Sequence, residues 1–282
     1  MEAAGPEALK HARDTIFNHP NVGPFFARQM IQRLVTSNPS GAYVARVAAA
    51  FGDNGLGVRG DLKAVFAAVL LIDEARTSTG LTQPGYGKVR EPMLRLVQWG
   101  RTFGLASAHG SWKMGVLSKP GRQWSQSPLR SPSVFNYFRP GCVPPSTSMA
   151  TIKAAVPEFQ IVSETSGAGY LNFMMGVIRR GIYVNAPDLP NNVANSKNPR
   201  SGFDLQASYE KELALAFSAP GLMGRINLLL CAGQLSVSTM VTISRALEVT
   251  PLAVSASLDS RLDRVAGAVL MVMASAEYVL QK

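Results

Sequence analysis

Residues 258–280 read LDSRLDRVAGAVLMVMASAEYVL, and this stretch decides the fold class. Leu258, Leu262, Val265, Val269, Leu270 and Met273 recur at steps of three and four, while Asp259, Arg261 and Asp263 fall outside their stripe. On a helix of 3.6 residues per turn that spacing gathers the apolar side chains into one broad face. The stretch therefore reads as an amphipathic helix laid against a core. Upstream, 205–217, 221–232 and 237–247 fit the same template.

The first hundred residues repeat the pattern in shorter pieces. Residues 6–18 form one helical segment, and 22–35 form the next. There Phe26, Met30 and Leu34 stand four apart, with Ala27, Ile31 and Val35 beside them. Asn38-Pro39-Ser40-Gly41 ends that helix, because proline and glycine together cannot carry it on. Val44, Val47, Ala48 and Phe51 mark a third segment. Asp61 has the side chain of an N-cap for 62–71, whose Leu62, Val65, Phe66 and Val69 share a face. Pro92 suits the first turn of a helix over 91–103, where its missing N–H goes unnoticed. A further helix is expected over 161–180. Strand signals are scarce and no repeat of fixed period occurs. The expected class is all-α: an orthogonal multi-helix bundle with long irregular loops, treated as a single helical region over 1–282.

Two stretches break the periodicity. From 107 to 150 six prolines (Pro120, Pro128, Pro132, Pro140, Pro144, Pro145) alternate with glycines, so a long loop is inserted there. A second loop, rich in Asn and Pro, covers 185–201.

Composition sets limits. With 46% hydrophobic residues the chain builds a substantial core and is not of the disordered class. Its charged fraction is only 16%, low for an ordinary surface. The net charge of +10 favours anionic partners, whether nucleic acid, anionic glycans or a membrane surface. Cys142 and Cys231 form no Cys-x-x-Cys pair and have no His at ligand spacing, so no metal is expected. They either pair across the fold or act as small buried apolar residues. The longest apolar run, 265–276, is well short of the roughly 20 residues of a membrane helix, so no span is expected. The start, MEAAGPEALKHARD, is polar and carries no export signal, which makes the chain cytoplasmic if expressed as it stands.

Gly55-Leu56-Gly57-Val58-Arg59-Gly60 matches the glycine pattern of a dinucleotide loop, but such a loop needs a preceding strand and 43–51 reads as helix. The glycines are read instead as a helix–helix connection, and no cofactor is expected. Arg59-Gly60-Asp61 spells an adhesion tripeptide too short to carry weight, and Asp61 has its capping role. His11, His19 and His109 stand outside any zincin motif, and no nucleophile elbow occurs. Glu91, Glu158 and Glu164 are the candidate carboxylates, without a nameable partner among them.

The most unusual region is 88–139. Nine Lys and Arg residues from Lys88 to Arg139 are opposed by a single acid, Glu91, and Trp99, Trp112 and Trp124 all lie here. Phe135, Tyr137 and Phe138 close the run. Cationic and aromatic groups together suit polyanions whose rings can stack. The competing reading is a loop clamp, in which aromatics pin irregular backbone to the core while arginines bond its carbonyls. We rank the clamp first.

Asn18-His19-Pro20-Asn21-Val22-Gly23-Pro24-Phe25 running on through Val35, Gly60-Asp61-Leu62-Lys63-Ala64-Val65, Lys88-Val89-Arg90-Glu91-Pro92 and residues 128–140 are followed by 155–161 and the closing 273–281. Taken together and in this order, these stretches resemble the signature of a bacterial family known as domain of unknown function 1800. The resemblance implies that members are longer, with an upstream helical half behind an export signal, and hence a periplasmic or extracellular setting. It implies as partners a missing N-terminal half or an exported protein. Arg90, Arg130, Asn136 and Arg139 are then the candidates for an anion-binding site or a loop clamp. The expectation for function is a truncated structural or interaction module without complete activity. The alternative is a cell-envelope hydrolase acting on an anionic polymer or ester through the basic loop. Nucleic-acid binding ranks third, because the cationic residues do not fall on one helical face.

Overall fold

The computed structural model describes residues 4–83, 85–108, 110–183 and 203–282. The loop expected over 185–201 and His109 lie outside the described residues. The architecture is mostly helical, of the all-α class. The chain divides into two compact units: one holds Met1–Lys88, Arg139–Pro157 and Lys282, the other Val89–Phe138 and Glu158–Gln281.

The first unit is built on helices α1 (Ala4–Asn18), α2 (Val22–Leu34), α3 (Gly41–Gly52) and α4 (Leu62–Leu70). Its core holds Ala27 and Ile31 of α2, Tyr43, Val44, Val47 and Phe51 of α3, and Val65 and Val69 of α4, while Phe26 and Met30 of the expected stripe are only partly buried and Leu34, Leu62 and Phe66 are exposed. Tyr43 carries its hydroxyl into this core and donates it to the Val69 carbonyl. The caps are local. Ser40 Oγ accepts from Tyr43 N at 3.0 Å to start α3, and Asp61 accepts from Lys63 N and Ala64 N to start α4.

The glycine-rich connection between α3 and α4 is held by Asx turns. Asp53 Oδ1 accepts from Gly55 N and Gly57 N, each at 2.8 Å, and Asn54 Oδ1 accepts from Leu56 N and Val58 N. Arg59 donates to the Phe17 and His19 carbonyls and lies over the Phe51 ring at 5.0 Å. The Arg59-Gly60-Asp61 tripeptide is thus occupied at both ends by structural work.

The second unit contains α5 (Pro92–Thr102), α6 (Glu164–Arg180), α7 (Ala219–Cys231), α8 (Val237–Glu248) and α9 (Leu258–Ala274). Helix α9 is its axis: Val265, Ala268, Val269, Val272 and Met273 are fully buried against residues of α6, α7 and α8. The expected helix over 258–280 stops early. Ser275 takes an extended backbone and its hydroxyl accepts from Tyr278 N, starting a separate turn over Ala276–Val279. A serine that can cap competes with continuing the helix.

The expected helix over 205–217 is corrected more deeply. Its first part is a strand, β3 (Phe203–Gln206), followed by one short turn over Glu210–Leu213. Strand β3 is the centre of a three-stranded antiparallel sheet with β1 (Ala106–Ser107) and β2 (Ile182–Tyr183) on its flanks. Ala106 pairs with Gln206, Ser107 and Ile182 with Leu205, and Tyr183 with Phe203. Two flanking partners satisfy both edges of β3, and this outweighs the helical spacing of its apolar residues.

Between Ser107 and Ser148 the described backbone is irregular but largely pinned. Within the second unit Trp124 (1% exposed), Leu117 and Phe138 are buried. Trp124 N donates to Leu117 O at 3.0 Å, and Leu117 N donates to Ser127 Oγ at 2.7 Å. The Tyr137 hydroxyl accepts from Ser127 N and donates to Ser127 O. Trp112 and Phe135 are half exposed, at 54% and 51%. The end of the stretch belongs to the first unit, where Val156 N bonds Cys142 O and Asn38 exchanges two hydrogen bonds with Ala155. Both cysteines are free thiols.

Candidate functional site

Arg90 and Glu91 open α5. The Arg90 guanidinium lies 4.5 Å from the Tyr278 ring centroid and donates to Gln98 Oε1, whose amide nitrogen in turn bonds Leu230 O at 2.9 Å. Its backbone N–H reaches Val279 O at 2.8 Å. Glu91, in the N-cap position, accepts from Gln126 Nε2 at 2.7 Å, while Gln126 Oε1 accepts from Met93 N. The 88–92 and 273–281 stretches thus meet at Arg90, and the long loop joins them through Gln126.

The other candidates lie elsewhere. Arg130 is exposed, and its side chain makes no hydrogen bond or ion pair to a described residue. Asn136 is exposed in a left-handed turn (φ 66°) closed on Ser133. Arg139 is exposed and belongs to the first unit. Glu158 is buried in a short 3-10 turn, and Glu164 is exposed in the first turn of α6. His11 and His19 are exposed. Among the described residues no group of three or more His, Cys, Asp or Glu could hold a metal.

Two buried polar groups have no signal in the local sequence pattern. Arg95, 4% exposed, lies 4.8 Å from the Tyr170 ring centroid and gives its Nε–H to Arg90 O at 2.8 Å. Loss of hydration holds its pKa below the usual arginine value. Asp204, fully buried in β3, accepts from the hydroxyls of Ser107 and Ser111 and, through its carbonyl, from Ala108 N. It clasps the start of the long loop to the sheet.

A cleft of about 430 Å³ lies beside the C-terminal half of α6 in the second unit. Helix α6 starts at a capping box between Ser163 and Ser166 and ends at Gly181. Gly181 has φ 99°, and a Cβ there would stand 2.2 Å from Leu205 O, so only glycine can turn the chain from α6 into β2. That turn sets Ile182 into the core and leaves Tyr183 49% exposed on the cleft side. Across the ladder Phe203 meets Tyr183 edge to face at 5.5 Å, and the Arg180 guanidinium lies 5.3 Å from the Phe203 centroid.

The opposite wall comes from the loop. Gly169 of α6 lets Pro120–Arg122 ride on the helix, since a Cβ at 169 would be 2.2 Å from Pro120 O. This delivers Gly121 and Arg122 to the cleft, with Asn172, Phe173 and Gly176 of α6 below them. Phe173 is set by an edge-to-face contact with buried Trp124 at 5.5 Å. The result is a pair of exposed cations, Arg122 and Arg180, over aromatic edges and a glycine-lined floor. Such a set suits an oxyanion carried on a ring-sized body.

Comparison with the curated proteins and with the solved structures finds no match. A family model described as "Protein of unknown function (DUF1800)" matches residues 1–280. Extending over nearly the whole length, this match places the chain in the DUF1800 family.

Proposed function

We propose that the protein is a binding module for an anionic ligand, received in the cleft of the second unit by Arg122 and Arg180. The observation that carries this reading is the pairing of two exposed arginines with Tyr183, Phe203 and Phe173 around a cleft of about 430 Å³. That volume falls within the common range for small-molecule sites, roughly 300–1,000 Å³. The net charge of +10 adds long-range attraction for the same class of ligand. The reading extends the expectation of an interaction module and places the anion in the α6 cleft rather than at Arg90, Arg130, Asn136 and Arg139, the candidates for an anion-binding site or a loop clamp.

The test is thermal denaturation of the whole chain with galacturonate, phosphate and sulfate, against neutral galactose and an equal ionic strength of chloride. The melting temperature is expected to rise with at least one oxyanion and not with galactose. The rise should vanish in the Arg122→Gln/Arg180→Gln double variant, since a hydrogen bond to a charged group contributes about 1.5–3 kcal/mol. No rise in the wild type, or a rise retained in the double variant, overturns the assignment. Incubation with anionic polymers decides between binding and the hydrolase alternative: a binding module leaves their chain length unchanged.

A further inference from the structure

We infer that the ligand of the α6 cleft is an extended acidic glycan engaged on both sides of Arg180, an inference that rests on the anionic-ligand reading above. A second cavity of about 270 Å³ lies against the same helix end, and Arg180 and Gly181 line both cavities. Arg180 is therefore a shared wall, and a ligand gripped by it reaches into either side. A compact ligand fills one cavity only. A chain of linked rings occupies both, with Arg180 at the junction.

The charge of the two cavities selects the class of chain. The second cavity is lined by Arg179, but Arg179 is held by Asp259 and Asp263, and Glu210 adds an acid to the lining. Arg180 makes no ion pair to a described residue, and among the described residues Arg122 is the other cation lining its cleft. Two cations spread over two cavities match a polymer with sparse charge. Among the described residues this spacing suits such a polymer better than a nucleic acid strand or a polyphosphate, which carries a charge every few ångströms, about 3.4 Å along one DNA strand.

The remaining lining fits the rest of a sugar. Asn172 on one side, and Gln206 and Ser208 on the other, offer uncharged donors and acceptors for hydroxyls. Tyr183 and Phe173 offer apolar surface to ring faces.

Calorimetric titration of the whole chain with α-1,4-linked galacturonate oligomers of one to six units tests this directly. Affinity is expected to rise at least tenfold from one unit to four and then level off. Arg180→Gln should abolish the dependence on length, whereas Arg122→Gln should weaken every length by a similar factor. Both arginines are exposed, so both variants are expected to fold, and unchanged melting curves check this. A monomer that binds as tightly as the tetramer overturns the extended ligand and leaves the anionic cleft standing. Polyphosphate of equal charge binding more tightly than the oligomer, or phosphate binding with no uronate of any length, overturns the glycan and again leaves the cleft. Absence of binding by every anion overturns the cleft itself.

Discussion

Replacing Trp124 with alanine tests how the irregular stretch is held. Its indole is 1% exposed and meets Tyr170 and Phe173 edge to face, with centroids 6.4 and 5.5 Å away. An indole buries roughly 200 Å², which at about 25 cal/mol per Å² is about 5 kcal/mol of transfer free energy. The two aromatic contacts add about 0.5–1.5 kcal/mol each. Against this, Trp124 Nε1 is buried with no hydrogen-bond partner among the described residues, and removing it recovers about 1–3 kcal/mol of desolvation cost. The terms leave a loss of about 3–7 kcal/mol for Trp124→Ala, whose lower part coincides with the usual cost of about 3–5 kcal/mol for large-to-small core changes. Trp112→Ala, at a site 54% exposed, should shift stability by less than about 0.5 kcal/mol. Urea titrations followed by far-ultraviolet circular dichroism measure both. A loss below about 1 kcal/mol at Trp124 refutes the anchoring, and with it the positioning of Arg122.

Other consequences are as direct. Gly169→Ala drives a methyl into the backbone of Pro120–Arg122 and is expected to cost about 1–3 kcal/mol; chemical denaturation reads the loss, and ligand titration should show weaker binding as Arg122 is displaced. Arg225 pairs with Glu212, whose side chain is 4% exposed, so Arg225→Met strands a buried carboxylate and should cost about 3–5 kcal/mol. Arg179 pairs with largely exposed Asp259 and Asp263, so Arg179→Met should cost only about 0.2–1 kcal/mol and less still in high salt. Burial pushes the Cys231 thiol from 9.0 up to about 11 and the Tyr278 phenol up to about 12. Both groups hold their protons more tightly when folded, so their contribution is complete below pH 9 and is lost as pH rises through the folded values. Urea midpoints measured from pH 8 to 11 should fall above pH 9, and Cys231→Ala should flatten the first part of that fall.

The helices were legible where packing follows the local period. The apolar stripes of 22–35, 44–51 and 62–71 supply the core of the first unit, although Leu34, Leu62 and Phe66 of those stripes are exposed, and Asp61 caps α4 as its side chain foretells. Ser275 was less legible, because the apolar run continues past it and only its backbone geometry shows a cap. Strand β3 was misread because Leu205 sits in a helix-like spacing, while its partners at Ser107 and Ile182 are remote in the chain. The cleft was half legible. Arg122 belongs to the conspicuous basic run, but Arg180 reads as an ordinary last-turn cation of α6. What joins them is the close approach of the loop at Gly169 and the left-handed turn at Gly181, neither of which periodicity reports. Of the motif arginines, Arg90 is engaged by Tyr278 and Gln98 inside its unit.

Hydrogen–deuterium exchange, with and without a saturating acidic oligosaccharide, locates the ligand on the chain without presupposing any variant. Peptides covering 119–124, 172–183 and 203–210 should gain protection while the helices of the first unit exchange unchanged. Protection concentrated around residues 128–140 or in the first unit, with 172–183 unaffected, would contradict an oxyanion seat between Arg122 and Arg180.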